Sequence, residues 1–176
     1  MTVRWIVAGA LAPITILLHE GGHALVAIVR GCESIVIHWT ATTNYCSDGS
    51  VFGGVAEVAA GPLVSWLLVL AGWLATRTRA RPEAFVLAVC GAGRAVIAVE
   101  AWARSKGTDE AKLADLTGIP SAVWIAPQVV LAIITFVWAW RLARRLEIRR
   151  DALAGTVAAV ASVTLYMVVV GPIVLP

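Results

Sequence analysis

Charge is what this chain lacks first. Of its 176 residues only 14% are Asp, Glu, Lys or Arg, against about 25% in an ordinary soluble domain. A chain this apolar is not disordered, and so little charge does not fit a coiled coil. Cysteine is scarce too, and three residues exclude a disulfide-dense secreted module. No glycine period marks a collagen-like fibre, and the sequence shows neither internal repeats nor low-complexity segments. The basic residues form no continuous face, so no nucleic-acid partner is expected. What is present is apolar: 60% of residues are hydrophobic and the mean hydropathy is +0.85. A soluble enzyme would be left too little polar surface. The composition points to an all-α polytopic membrane protein with the lipid bilayer as its solvent.

About 20 apolar residues in a helix cross a hydrocarbon core of about 30 Å. Five runs qualify: residues 5–29, 55–76, 84–103, 122–140 and 152–175. The first is too long for a signal peptide and is expected to be retained. Trp5, Trp102, Trp124, Trp138 and Trp140 fall near run ends, where interfacial belt residues sit. Between the first two spans, residues 33–50 read differently. Ile35, Ile37 and Trp39 alternate with Val36, His38 and Thr40, between Gly31 and Asp48-Gly49. That β-branched and aromatic stretch predicts a small β-hairpin. Residues 105–120 form a second non-spanning segment. There Gly107 breaks the preceding helix, Thr108 or Asp109 can cap a short new one, and Gly118-Ile119-Pro120 ends it. The expectation is one membrane domain over residues 1–176.

Five spans make the connections alternate sides. Nine basic residues (Arg4, Arg77, Arg79, Arg81, Arg141, Arg144, Arg145, Arg149, Arg150) fall on one side and four (Arg30, Arg104, Lys106, Lys112) on the other. The positive-inside rule puts the amino terminus in the cytoplasm and the hairpin outside. Cys32 and Cys46 flank the hairpin. On an oxidising side they can close a disulfide loop; otherwise they are two free thiols. Cys90, inside the third run, reads as a packing residue.

The first run carries His19-Glu20-Gly21-Gly22-His23. Ionisable groups inside a span are costly and mark functional sites. Residues four apart share a helix face, so both imidazoles can point at one metal. Glu20 is rotated by about 100° and sits beside the metal, placed to take a proton from water held there. This is the His-Glu-x-x-His arrangement of zinc hydrolases. A lone histidine on such a face would more simply make an interhelical hydrogen bond; three ionisable groups in one turn argue otherwise. Catalytic zinc takes three protein ligands and keeps one position open. By depth, Glu57, Glu100, Asp109, Glu110 and Asp115 are all candidates for the third, with His38 in the hairpin less suited.

With Gly61-Pro62-Leu63-Val64-Ser65 in the second span and Gly107-Thr108-Asp109 after the third, the order of these motifs resembles the site-2-protease-type intramembrane zinc metalloproteases over residues 1–120. Residues 121–176 would then be two accessory transmembrane helices. The resemblance implies one Zn2+ per chain held by His19, His23 and Asp109, with Glu20 as general base. It implies substrate contacts at Gly61, Pro62 and Ser65. Ser65 stands where the family often has Asn, and Glu110 follows the Asp where the family usually has Gly. The implied activity is hydrolysis of peptide bonds in membrane-protein or membrane-peptide substrates, in a bacterial-type cell membrane. The family's site usually opens to the cytoplasm, opposite to the side the arginines indicate for the hairpin.

Other residues have simpler readings. Glu100 and Arg104 are an i,i+4 ion pair. Glu57 and Arg94 are expected to pair across helices. Gly91 and Gly93 are expected to permit close helix packing. Two other functions remain open on the sequence. One is a catalytically inactive protease-like membrane protein that binds partners. The other is a small ion or proton transport component using His19, Glu20, Glu57 and Arg94.

Overall fold

The computed structural model describes residues 2–38, 41–46, 51–77, 79, 81–104 and 107–175. Trp39, Thr40, Asp48-Gly49, Ser105 and Lys106 of the sequence reading lie outside them. Five helical segments are long and apolar enough to cross a membrane: Thr2–Val29, Gly53–Ala75, Pro82–Ala103, Ser121–Arg145 and Arg149–Val174. The protein is a multi-pass, all-α membrane protein with a small hairpin between its first two spans.

The first span is not one helix. It is α1 (Thr2–Ala10) followed by α2 (Ile14–Val29). Pro13 has no N–H to give and crowds the carbonyl four residues back. The backbone tightens there, and the N–H groups of Ala12, Ile14, Thr15 and Ile16 each bond the carbonyl three residues earlier, at 3.0–3.1 Å. The Gly9 carbonyl, at the position that proline disrupts, accepts the Ser162 hydroxyl at 2.9 Å. A neighbouring helix thus adds a second bond to a carbonyl that already accepts from the Ala12 N–H.

The hairpin pairs β1 (Ser34–Ile37) with β2 (Thr42–Tyr45), antiparallel, with Ser34 opposite Tyr45 and Ile37 opposite Thr42. A Cys32–Cys46 disulfide ties its base, just beyond the end of α2. The second span is α3 (Val51–Ala75), the third α4 (Pro82–Ala103) and the fourth α6 (Ser121–Arg145). The fifth runs from α7 (Arg149–Leu165) through one π-turn (Tyr166–Val170) to α8 (Gly171–Val174). Between the third and fourth lies α5 (Asp109–Thr117), whose N-cap Thr108 accepts the Ala111 N–H and whose C-cap Gly118 takes φ 72°. Only glycine adopts that left-handed conformation without penalty.

Small residues let the spans close on one another, as they do where lipid supplies no hydrophobic drive between helices. A Cβ on Gly9 would stand 2.3 Å from the Gly155 carbonyl, so α1 and α7 meet backbone to backbone. Gly72 does the same for α3 against Ala84 of α4, and Gly91 for α4 against Ser65 of α3. Gly93 behaves differently from expectation, since nothing lies within 4 Å of a Cβ built there. Trp5 is also not a belt residue. It is fully buried, edge-on to Phe85 at 5.1 Å, and Phe85 in turn stacks on Trp138 at 5.9 Å. The bareness of Gly155 admits its indole under α7. Trp102 and Trp140 are exposed, as interfacial residues should be.

Candidate metal centre

Helix α2 turns one face toward α3, and His19, Glu20 and His23 are all buried there. The approach is close because Gly22 packs against α3, where a Cβ would meet Ala60 O at 2.9 Å. Asp109 is the first residue of α5, and that helix start aims its carboxylate at the two imidazoles. His19 Nε2 lies 3.0 Å from Asp109 Oδ2, His23 Nε2 lies 3.6 Å from the same oxygen, and the two Nε2 atoms are 3.3 Å apart. A tetrahedral ion with bonds of about 2.0–2.1 Å holds its ligand atoms about 3.3 Å apart. The three atoms form one face of such a tetrahedron.

The outer nitrogens fix the ring protons. His23 Nδ1 donates to the Glu57 backbone carbonyl at 2.8 Å. His19 Nδ1 lies 3.0 Å from Ser65 Oγ; because the Ser65 hydroxyl donates to the Gly61 carbonyl at 3.4 Å, its oxygen is left to accept from Nδ1 in the tautomer that bares Nε2. Both Nε2 lone pairs therefore turn inward, where they meet a carboxylate oxygen. Three electron-pair donors facing one point call for a cation between them, a proton in its absence and a metal in its presence. Metal-ligating histidines are oriented through their other nitrogen in this way.

Gly61 completes the cradle. A Cβ on it would lie 2.3 Å from His23 Nε2 and 2.6 Å from His19 Nε2. The only side chain that keeps this space open is a hydrogen atom. The donor set, its spacing and the vacant Gly61 face all fit a small divalent ion, and zinc suits imidazole nitrogen with carboxylate oxygen.

Glu20 stands apart from the triangle. One of its carboxylate oxygens lies within 4.8 Å of a nitrogen of each histidine. Thr42, reaching in from β2, donates to Glu20 Oε2 at 3.1 Å or to its backbone carbonyl at 3.0 Å. Arg94 of α4 donates through Nη2 to Asp109 Oδ2 at 2.5 Å. Burial pushes the Asp109 carboxyl up, but the hydrogen-bonded imidazoles and the Arg94 guanidinium outweigh it and hold it well below the usual carboxylate range.

The other acidic candidates for a third ligand are elsewhere. Glu57 does not pair with Arg94. Its carboxylate bonds Arg30 Nη1 at 2.6 Å and Asn44 Nδ2 at 2.5 Å, because the hairpin and the end of α2 lie closer to it than α4 does. Its role at the centre is through its backbone oxygen. Glu100 is exposed and bonded to Arg104 at 2.7 Å, the expected pair. Glu110 points away from Asp109, is fully buried and accepts from Gln128 Nε2 of α6 at 2.5 Å. Asp115 is exposed near the far end of α5, and His38 follows β1 with its N–H on the Ala41 carbonyl. Gln128 and Thr42 went unread in the sequence, and Arg94, expected to pair with Glu57, bonds Asp109 instead, since cross-helix partners leave no spacing signal.

A cavity of about 550 Å³ opens beside the centre. His19, Glu20, His23, Ser65, Arg94 and Asp109 line its polar end, and Ile97, Phe136, Val160, Val163 and Met167 its apolar walls. The chain matches no protein-family model, no curated protein and no solved structure.

Proposed function

We propose that this chain is an intramembrane zinc metalloprotease that hydrolyses peptide bonds of membrane-embedded substrates. The observation that carries this reading is the triangle of His19 Nε2, His23 Nε2 and Asp109 Oδ2 beneath the bare face of Gly61, with the Glu20 carboxylate next to it. One Zn2+ per chain would be held by His19, His23 and Asp109. Bound there, zinc would supply Lewis acidity, acidifying water and polarising a carbonyl. Glu20 accepts the proton of the attacking water and returns it to the leaving amine. Thr42 keeps the Glu20 carboxylate turned toward the site. Ser65 and Glu57 hold the imidazoles in the tautomer that leaves Nε2 bare.

A peptide bond in a membrane helix is shielded by its own hydrogen bonds, so the substrate must be presented unwound. The hairpin serves this step. Among the described residues it is a two-stranded sheet, so each strand keeps an outer edge for an extended segment to pair with. The apolar cavity walls suit the side chains of such a segment; of the three residues the resemblance assigns to substrate, Ser65 lines the cavity, whereas Gly61 and Pro62 are not among its lining residues. The proposed setting is a cell membrane of bacterial type with the hairpin on the oxidising side. The Cys32–Cys46 disulfide and the arginine bias of the opposite loops both favour that orientation.

Metal analysis and cleavage of a helical membrane peptide test this together. Wild type and Glu20→Gln should each carry one zinc, with Glu20→Gln slower by about 10²–10⁴. His19→Ala and Asp109→Ala should lose the metal. Undiminished turnover by Glu20→Gln refutes the base assignment, and zinc-free wild type refutes the reading.

A further inference from the structure

Several hydrogen-bond donors around the cavity are already spent. Thr15 gives its hydroxyl to the Ala12 carbonyl at 2.7 Å, and Thr156 gives its to Ala152 at 2.8 Å. Thr42 serves Glu20, and Ser65 is tied between His19 and the Gly61 carbonyl. Ser65 therefore has no proton left for a substrate. Thr108, Lys112 and Thr164 line the cavity as well, but of the lining donors that keep N–H or O–H groups to give, Arg94 is the one bonded to members of the His19–His23–Asp109 triangle. A guanidinium carries five N–H groups in a planar fork. One on Nη2 goes to Asp109. Nε donates to the His19 ring, 3.4 Å from Nδ1 and 3.3 Å from Nε2. Both N–H groups of Nη1 and the second on Nη2 have no partner among the described residues. The side chain lines the cavity, with 19% of it exposed.

A charge on the middle of α4 is expensive to maintain. Its pairing with Asp109 offsets that cost, but a metal would draw on the same oxygen. The guanidinium would then face the cavity with its positive charge less fully compensated, beside the place where a carbonyl oxygen turns anionic.

We propose that Arg94 is the electrophile of this site, a catalytic residue that binds the scissile carbonyl oxygen as negative charge develops on it. The proposal rests on the protease reading above. In the step, the water oxygen bonds to the carbonyl carbon, the C=O π pair moves onto oxygen, and the water proton goes to Glu20. Arg94 N–H groups hold that oxygen until the C–N bond breaks, the π bond re-forms and the amine takes the proton back from Glu20. Preorganised donors aimed at such an oxygen act strongly in a water-poor cavity.

The test compares zinc-loaded wild type, Arg94→Gln and Arg94→Lys in detergent. The probes are a fluorogenic peptide of one apolar transmembrane helix and a phosphinate dipeptide with leucine side chains, which mimics the tetrahedral species. Arg94→Gln should keep one zinc per chain, lose about 10²–10³ in kcat with KM changed by less than about threefold, and bind the phosphinate weaker by a similar factor. Arg94→Lys, a point charge without the fork, should recover part of both. Unchanged phosphinate affinity in Arg94→Gln overturns the proposal. So does loss of zinc with normal kcat per bound zinc, which would make Arg94 a positioning residue for Asp109. If Arg94→Gln does not fold, Arg94→Lys decides, and wild-type kcat and phosphinate affinity there overturn it. A wild type that holds zinc yet neither cleaves the peptide nor binds the phosphinate sinks the protease reading and this inference with it, a result distinct from failure of the variants alone.

Discussion

Replacing Gly61 by alanine adds one methyl group, and the structure says where it goes. The new Cβ would stand 2.3 Å from His23 Nε2 and 2.6 Å from His19 Nε2, where ordinary contact begins at 3.4 Å. Relief needs each ring to retreat by roughly 1 Å. Neither ring is free to do so. His19 is held by Ser65 at 3.0 Å and His23 by the Glu57 carbonyl at 2.8 Å. Breaking those two hydrogen bonds costs about 2–3 kcal/mol in all, and about 1.4 kcal/mol is tenfold in affinity. Zinc affinity of Gly61→Ala should therefore fall about 100-fold, with a stability loss of about 1–3 kcal/mol from overpacking. Chelator competition and thermal melts in detergent measure the two. Gly21→Ala is the matched control on α2, because a Cβ there meets nothing within 4 Å. Wild-type zinc affinity in Gly61→Ala, or equal losses in both variants, would refute the geometry of the cradle.

Three other outcomes follow from the same network. Ser65→Ala removes the acceptor that fixes the His19 tautomer and should weaken zinc binding by about 10–100-fold, and an unchanged dissociation constant would show that Ser65 does not orient the ring. Cys32→Ser with Cys46→Ser opens a loop of about 15 residues and should cost about 3 kcal/mol, read as a lower melting temperature matched by reduced wild type. The third concerns pH. A carboxyl whose folded pKa is depressed stabilises the fold above its unfolded value, and that stability is lost as pH falls through the folded value. The Asp109 carboxyl is held below the usual carboxylate range. The stability penalty of Asp109→Asn in zinc-free protein should therefore not shrink between pH 8 and pH 5, and a penalty that vanishes by pH 5 contradicts the assignment.

The spans and the imidazole pair were legible because each depends on a local period. Hydropathy over about 20 residues locates a crossing, and a separation of four puts His19 and His23 on one face. Asp109 was different. Depth left five acidic residues eligible, and only the motif resemblance singled out the one that α5 points at the imidazoles. The pairing of Glu57 was misread for a physical reason. In helices apolar on every side, the sequence does not reveal which face meets which neighbour, so nothing local pointed from Glu57 to Arg30 at the end of α2 rather than to Arg94. Trp5 misled in the same way. Its place near a span end fits a belt, yet the opening that buries it is made by Gly155, on a helix about 150 residues away.

Proline at position 13 has a mechanical meaning for the whole bundle. On one side of it, the first and last crossings are zipped shut by Gly9 and Gly155 with no room for a methyl group. On the other, Thr15 and Ile16 stand across the cavity from Val160, Val163 and Met167. The joint converts a sealed seam into a fork. The cavity lies between the two arms at the depth of His19 and His23, while the opposite end of the same two helices stays pinned like the spring end of a clothes-peg.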